Sequence, residues 1–458
     1  MSLRSLPSVD KLLQESSTLI SAYGKPLTLT AIRAAQDEAR NAIRAGAEIL
    51  PNSQFLAEVE ALLREWTKPT LQAVINATGV ILHTNLGRAP LSDAAVRAMD
   101  GVSRGYSTLE FDLESGKRGS RLIHAESLLE RLTGAEAALV VNNCASAVLL
   151  VLTALARRKP VIIPRSQLVE IGGGFRIPDV MKQSGARLVE IGTTNKVRIS
   201  DYEEALLPPA DSIVMRAHRS NFRIIGFTEE PELKSIIDIS HQHGAIFVDD
   251  LGSGALLDTA RFGIQHEPTV QESVGNGADL VMFSGDKLTG GPQAGIIVGK
   301  LGLIEKIKKH PLARAVRADK TCLAGLSATL LHYLKNEAEL EIPIWRMIST
   351  PLDVVKERVE TWQRQLGFGE VRLGESTIGG GSLPGYSFPT WLLAIPVKSP
   401  DKVLFKMRKF RFPVIARTEN DCILVDPRTV LLEQDEILVE CLNSVLQVAD
   451  MRLAETKR

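Results

Sequence analysis

The sequence predicts an α/β protein: a doubly wound, mainly parallel sheet, preceded by a helical region and followed by a smaller α/β domain. Three observations predict it. From Val74 to about residue 340, short apolar runs alternate with stretches of helical periodicity. Most of those runs are apolar throughout, as expected of strands covered on both faces. The length, 458 residues, also calls for more than one domain. The boundaries read as 1–65 for the helical domain, 66–340 for the large domain and 341–458 for the small one.

In the first region, Leu12, Leu13 and Ile20, then Ile32, Ala35, Ala39 and Ile43, recur at helical spacing. Segment 28–47 carries no glycine until Gly46. Pro69 and the turn Asn76-Ala-Thr-Gly79 mark a change of regime. The strand candidates of the large domain are 138–141, 161–163, 187–191, 212–215, 245–248, 280–283 and 295–298. Helices are expected at 125–132 and 229–243, and the apolar run 147–156, stopped by Arg157-Arg158-Lys159, reads as a core helix. In the small domain, 351–366 reads as helix and 387–397, 414–417 and 421–425 as strands, with Gly379-Gly-Gly381 as a loop. A sheet of this kind binds its ligand beyond the carboxyl ends of its strands.

Bulk properties exclude several classes. Lys plus Arg and Asp plus Glu each number 54, so the whole-chain field favours no polyanion, and any RNA surface has to be local. No apolar run reaches membrane-spanning length, and the start, MSLRSLPSVDKLL, lacks a signal-peptide core. Four scattered cysteines without a CxxC pair point to free thiols in a reducing cytoplasm. His241 and His243 lie two apart on a helix, which separates their side chains, so no metal site is expected.

Three features fall at strand ends. After the run ending at Val141 come Asn143, Cys144, Ala145 and Ser146, small residues opening the apolar helix. Free N–H groups and the helix dipole make such a junction a phosphate seat, although, taken alone, it is better explained as an ordinary N-cap by Asn143 or Ser146. The second feature is VDDLGSG, 248–254, where two carboxylates follow a buried strand. Adjacent strand residues point to opposite faces, so one of them, assigned here as Asp249, faces a cationic ligand. The third is FSGDKLTGGPQAG, 283–295, which sets Lys287 among glycines directly after a buried strand. Together they supply what pyridoxal phosphate needs: an amine for its aldehyde, a carboxylate for its ring nitrogen and a helix N-terminus for its phosphate. Ser284, three residues before the lysine, is placed to add a hydroxyl to that phosphate.

At these residues the chain resembles the bacterial selenocysteine synthases, the L-seryl-tRNA selenium transferases of the fold-type I pyridoxal phosphate group. The resemblance spans nearly the whole length. It rests on LPSVDKLL (6–13), INATGVILHTNLGRAPLS (75–92), LVEIGGGFRIPDV (168–180), SNFRIIGFTE (220–229), SGDKLTGGPQAGII (284–297), RAVRADK (314–320) and PVIARTENDCILVDPRTV (413–430). Cys144-Ala-Ser146 departs from the family's asparagine and alanines, and Arg219 stands where a smaller residue is usual.

The resemblance implies conversion of serine-charged selenocysteine tRNA to selenocysteinyl-tRNA, by loss of water from serine and addition of selenium from selenophosphate. It implies Lys287 as cofactor lysine and base, and Asp286 as acid for the departing hydroxyl. Arg88, Arg314 and Arg317 become the anion site for selenophosphate, a role that suits guanidinium forks. His218 is placed near the cofactor, where a structural histidine is an equal reading. The N-terminal domain becomes the tRNA-binding module. Arg33, Arg40 and Arg44 would lie near one helix face there, as a phosphate-binding stripe or a solvated one. A cytoplasmic homo-oligomer, a homodecamer in the family, is implied as well. The rival readings are a pyridoxal phosphate lyase for a small phosphorylated amino acid or amino sugar, and a non-catalytic RNA-binding scaffold.

Overall fold

The computed structural model describes residues 6–46, 51–121, 123–207 and 211–446. Residues 1–5 and 47–50 of the expected N-terminal domain, and 447–458 of the C-terminal one, lie outside the described residues. The chain divides into two compact units, Met1–Ala73 and Val74–Arg458.

The first unit is helical: Val9–Glu15, Ser17–Tyr23, Lys25–Arg44 and Asn52–Thr67. Ser8 caps the first helix through Lys11 N–H, and Pro26 sits in the first turn of the third, where its missing N–H costs nothing. Thr28, Ala31, Ile32, Ala35 and Gln36 form the buried stripe of Lys25–Arg44. Leu12, Phe55, Val59 and Leu63 close over it as a small core.

The second unit is built on a seven-stranded sheet. Its order is Ala137–Val141, Gly295–Gly299, Leu280–Ser284, Ile246–Gly252, Ile213–Ala217, Pro160–Pro164, Arg187–Ile191. All pairs are parallel except those of Gly295–Gly299, which runs antiparallel to both neighbours. The seven expected strands are these seven. Three neighbouring strands, Ala137–Val141, Gly295–Gly299 and Leu280–Ser284, are buried along their whole length, which is why they carry no polar alternation. Helix Cys144–Leu155 covers one face, within a core that includes Val151, Met215, Val248 and Met282. Phe247, Leu251, Val281 and Phe283 point to the other face. The helix expected at 229–243 spans only Leu233–Gln242, because Glu229 is held extended by a bridge to Lys196 and donates its N–H to Asn195 O.

A second, five-stranded sheet has the order Arg417–Glu419, Cys422–Val425, Ser387–Pro396, Glu370–Gly379, Val80–Leu82. Helices Leu352–Leu366, Pro400–Lys409 and Asp435–Val445 pack on it around Trp362, Val403 and Leu442. Its edge strand comes from the far end of the chain. Val80–Leu82 pairs parallel with Glu370–Gly379, and Ile75–Asn76 pairs with Val414–Ile415. Pattern alone had placed 74–82 with the large domain.

Candidate active site

A cavity of about 610 Å³ opens at the carboxyl ends of four sheet strands, with Asn143, Ala217, Asp250 and Ser284 each within two residues of a strand's last residue. Lys287 lies in its wall, only 9% exposed. Strand Leu280–Ser284 carries the chain in, and Leu288 N–H donates to Ser253 O at 3.0 Å, tying down the turn that follows. The amine is flanked by glycines from elsewhere in the chain. A Cβ on Gly381 would stand 2.6 Å from Lys287 Nζ, and one on Gly252 would stand 3.7 Å away. By contrast, the glycines near Lys287 in sequence mostly serve packing. A Cβ on Gly285 would come 2.7 Å from Pro292 O, and Gly290 abuts Ile342.

The carboxylate expected to face the cavity is corrected by the structure. Asp249 is fully buried on the opposite face of its strand and does not reach the cavity. It stands opposite Arg216 in the parallel ladder, and the guanidinium donates to both of its oxygens at 2.7 Å. Ser273 Oγ donates to the same carboxylate. Asp250, one residue on, therefore points to the other face and lines the cavity. The ladder register shifts between Asp250 and Gly252, a bulge of the kind that re-aims side chains. Burial pushes the Asp250 carboxyl up to about 6, against the opposing pull of Lys287. The Cys144 thiol points at Asp250 Oδ1, 3.7 Å away, and burial raises that thiol far above its ordinary value.

Asn143 caps the helix that begins at Cys144, accepting from Ser146 N–H at 2.8 Å. Ala147 N–H bonds Asn143 O. Ser146 is thus committed to the cap and does not line the cavity. The first two amides of the helix, those of Cys144 and Ala145, precede any intrahelical acceptor, and both residues line the cavity. Ser284 lines it also.

Arg88 and Asp286 meet there. Arg88 Nη1 donates to Asp286 Oδ2 at 2.6 Å, while Arg88 Nε is buried without a partner. Arg88 adopts φ +62°, directly after Gly87 at φ +90°, a left-handed pair that aims the guanidinium inward. His218 lines the cavity as well, and burial, reinforced by Arg216, lowers its imidazole to about 4. Its Nδ1 lies 3.6 Å from Glu267 Oε1, and neither atom has a hydrogen-bond partner.

The structure does not bring Arg314 and Arg317 to this cavity. They line a separate one of about 330 Å³, together with Arg118, Arg121 and Glu110. Helix Pro311–Ala315 ends before Arg317, so the two arginines do not share a helix face. Arg317 instead bridges to Val141 and reaches Glu110 Oε1 at 3.5 Å. Asn85, Gly172, Ser220, Gln293, Gly380 and Gly381 join the cavity wall, and sequence reasoning missed all six. Only the glycine run 379–381 gave a signal.

This donor set fits an aldehyde cofactor with a cationic ring nitrogen and a phosphate. It offers a buried amine, an enclosed carboxylate and two free helix amides around one cavity.

Residues 74–431 match a family described as L-seryl-tRNA selenium transferase, and residues 3–40 match one described as selenocysteine synthase N terminal. A protein of Geobacter sulfurreducens named L-seryl-tRNA(Sec) selenium transferase is 44% identical over 96% of this chain and 98% of its own. One of the same name from Moorella thermoacetica is 45% identical over 98% and 97%. Among solved structures, a D-glucosaminate-6-phosphate ammonia-lyase superposes with a TM-score of 0.56 at 18% identity, over 82% of this chain and 96% of that one, a likeness of fold.

Proposed function

Since the chain belongs to the L-seryl-tRNA selenium transferase family, and converts seryl-tRNA(Sec) to selenocysteinyl-tRNA(Sec) with pyridoxal 5′-phosphate, we propose that the cavity around Lys287 is where it does so. The observation that carries this is one buried amine, Lys287, sharing a cavity with Asp250 and the helix amides of Cys144 and Ala145. Lys287 would hold the cofactor aldehyde, Asp250 its ring nitrogen, and the two amides with Ser284 its phosphate. Asp250 takes the part first assigned to Asp249. When bound, the cofactor supplies an electron sink for the carbon that loses a proton.

The chain's own groups then divide the work. Lys287 Nζ, free once the serine amine has replaced it on the aldehyde, takes the proton from serine Cα. Asp286, the neighbouring residue, delivers a proton to the β-hydroxyl oxygen, which leaves as water. Arg88 holds the anionic selenium donor, read here as selenophosphate. The donor competes with Asp286 for the same guanidinium, so its arrival strips the carboxylate of its counter-charge and lets it take up from solvent the proton it then delivers. The unpartnered Arg88 Nε is a donor available to an oxyanion. His218, neutral at physiological pH, covers the cavity from the strand end at Ala217.

The helical unit is read as the tRNA-binding module. Arg33, Arg40 and Arg44 are exposed on helix Lys25–Arg44, although Arg40 is paired with Asp37 at 2.6 Å. Among the described residues no helix is long and apolar enough to cross a membrane. A cytoplasmic homo-oligomer remains part of this reading.

The test is conversion of serine-charged selenocysteine tRNA with selenophosphate and pyridoxal 5′-phosphate. Selenocysteinyl-tRNA is expected from the wild-type chain and none from Lys287→Ala. Conversion by Lys287→Ala at the wild-type rate would refute the site.

A further inference from the structure

A second cavity, of about 620 Å³, lies against the first. Ala217 and His218 line both. Taking the function proposed above as premise, the substrate has to occupy more than the Lys287 cavity. Its serine is esterified to the ribose of the terminal adenosine. With serine Cα at Lys287, bond lengths near 1.5 Å put that ribose on the order of 5 Å away. The first cavity must also hold the cofactor and the selenium donor. We infer that the second cavity, behind His218, seats the terminal adenosine of the aminoacylated tRNA.

Its wall suits a nucleoside. Phe222, 37% exposed, offers an aromatic face of the kind on which bases stack. Pro231 and Leu383 add apolar surface to the same wall. The charges within the wall are mostly settled: Arg216 is held by Asp249, and Arg219 by Glu230. Arg223, bonded to Gln265 and exposed at the rim, remains to meet the phosphate leading into the nucleoside.

The decisive group is Glu267. It is 2% exposed, and its Oε1 has no hydrogen-bond partner of good geometry; the Ser253 hydroxyl beside the carboxylate is itself unpaired. Its other oxygen accepts from Leu383 N–H at 3.3 Å. His218 Nδ1, at 3.6 Å, is too far to satisfy it. A buried acceptor left unpaired is costly, and native structures keep few of them. An adenine amino group or a ribose hydroxyl is the donor this oxygen lacks. A cavity that served only as solvent space would have no need of an enclosed, unpaired carboxylate in its wall.

The test compares two stable probes on the cofactor-loaded full chain, read by the absorbance of the bound cofactor. One is L-serinamide. The other is 3′-deoxy-3′-(L-serylamino)adenosine, which adds the nucleoside through an amide. The adenosine probe should bind roughly tenfold tighter or more. Phe222→Ala, on the surface, and Glu267→Leu should each remove most of that preference and leave serinamide binding as it was. Equal affinities in the wild-type chain, or a preference that survives both substitutions, would overturn the inference while leaving the proposed function intact. No spectral response to either probe would count against the proposed function itself, and the inference would fall with it.

Discussion

Exchanging each carboxylate of the adjacent pair for its amide should move stability in opposite directions. Asp249→Asn leaves Arg216 buried at the sheet face without its counter-charge. Breaking one side of such a pair costs about 3–5 kcal/mol. Asp250→Asn should act the other way in the cofactor-free protein. Raising a carboxyl from its ordinary 3.8 to about 6 corresponds to about 3 kcal/mol of unfavourable ionisation at neutral pH. The amide's own unmet hydrogen bonds take back part of that, so a gain of about 1–2 kcal/mol is expected. Turnover should reverse the ranking. Asp250→Asn removes the group proposed to face the cofactor ring and should slow conversion on the order of 100- to 1000-fold, as loss of one preorganised electrostatic partner does. Asp249→Asn should keep most of its activity where it stays folded. Urea unfolding of cofactor-free protein at pH 7, set beside conversion of seryl-tRNA, reads both. Loss of turnover in Asp249→Asn with stability unchanged, and normal turnover in Asp250→Asn, would refute the assignment.

Other expectations follow from the same cavity. His218 is lowered to about 4, so its stabilising share is present above about 6.5 and is lost as pH falls towards 4. Asp250 is raised, so its share grows over nearly the same fall, and the two largely cancel. His218→Asn should therefore gain stability relative to wild type between pH 6 and 4, and a stability difference that does not change with pH would contradict this. Gly381→Ala forces a methyl to 2.6 Å from Lys287 Nζ at φ +84°, and should abolish the visible absorbance of bound cofactor while the chain stays folded by circular dichroism. Arg88→Ala should raise KM for the selenium donor at least tenfold with little change in affinity for seryl-tRNA, and an unchanged donor KM would remove Arg88 from that role.

The sheet was legible because strands covered on both faces are apolar nearly throughout, and most of the seven runs between Val74 and residue 340 are. The place of Lys287 in the cavity wall was legible for a related reason: it follows closely on a buried strand and sits among glycines. The choice between Asp249 and Asp250 was not legible from their own segment. It depends on the phase of the pleat at a strand end, where a bulge sits, and on Arg216 across the ladder. The signal existed at one remove, since a lone arginine inside the apolar run 213–217 demands a buried partner. Arg314 and Arg317 carry the right chemistry in a segment whose path cannot be derived from spacing. Gly381 reaches the amine, and Gly380 the cavity, only through tertiary contact between segments nearly a hundred residues apart.

Strand Val80–Leu82 has no place to dock until Glu370–Gly379 exists. On the ribosome, this early stretch must therefore wait, unpaired, while nearly three hundred further residues are made. The turn that presents Arg88 hangs from that strand, and Gly381 sits just past its partner. The pocket can thus assemble only near the end of translation. A truncated chain ending before residue 370 could form the seven-stranded layer and still be inert.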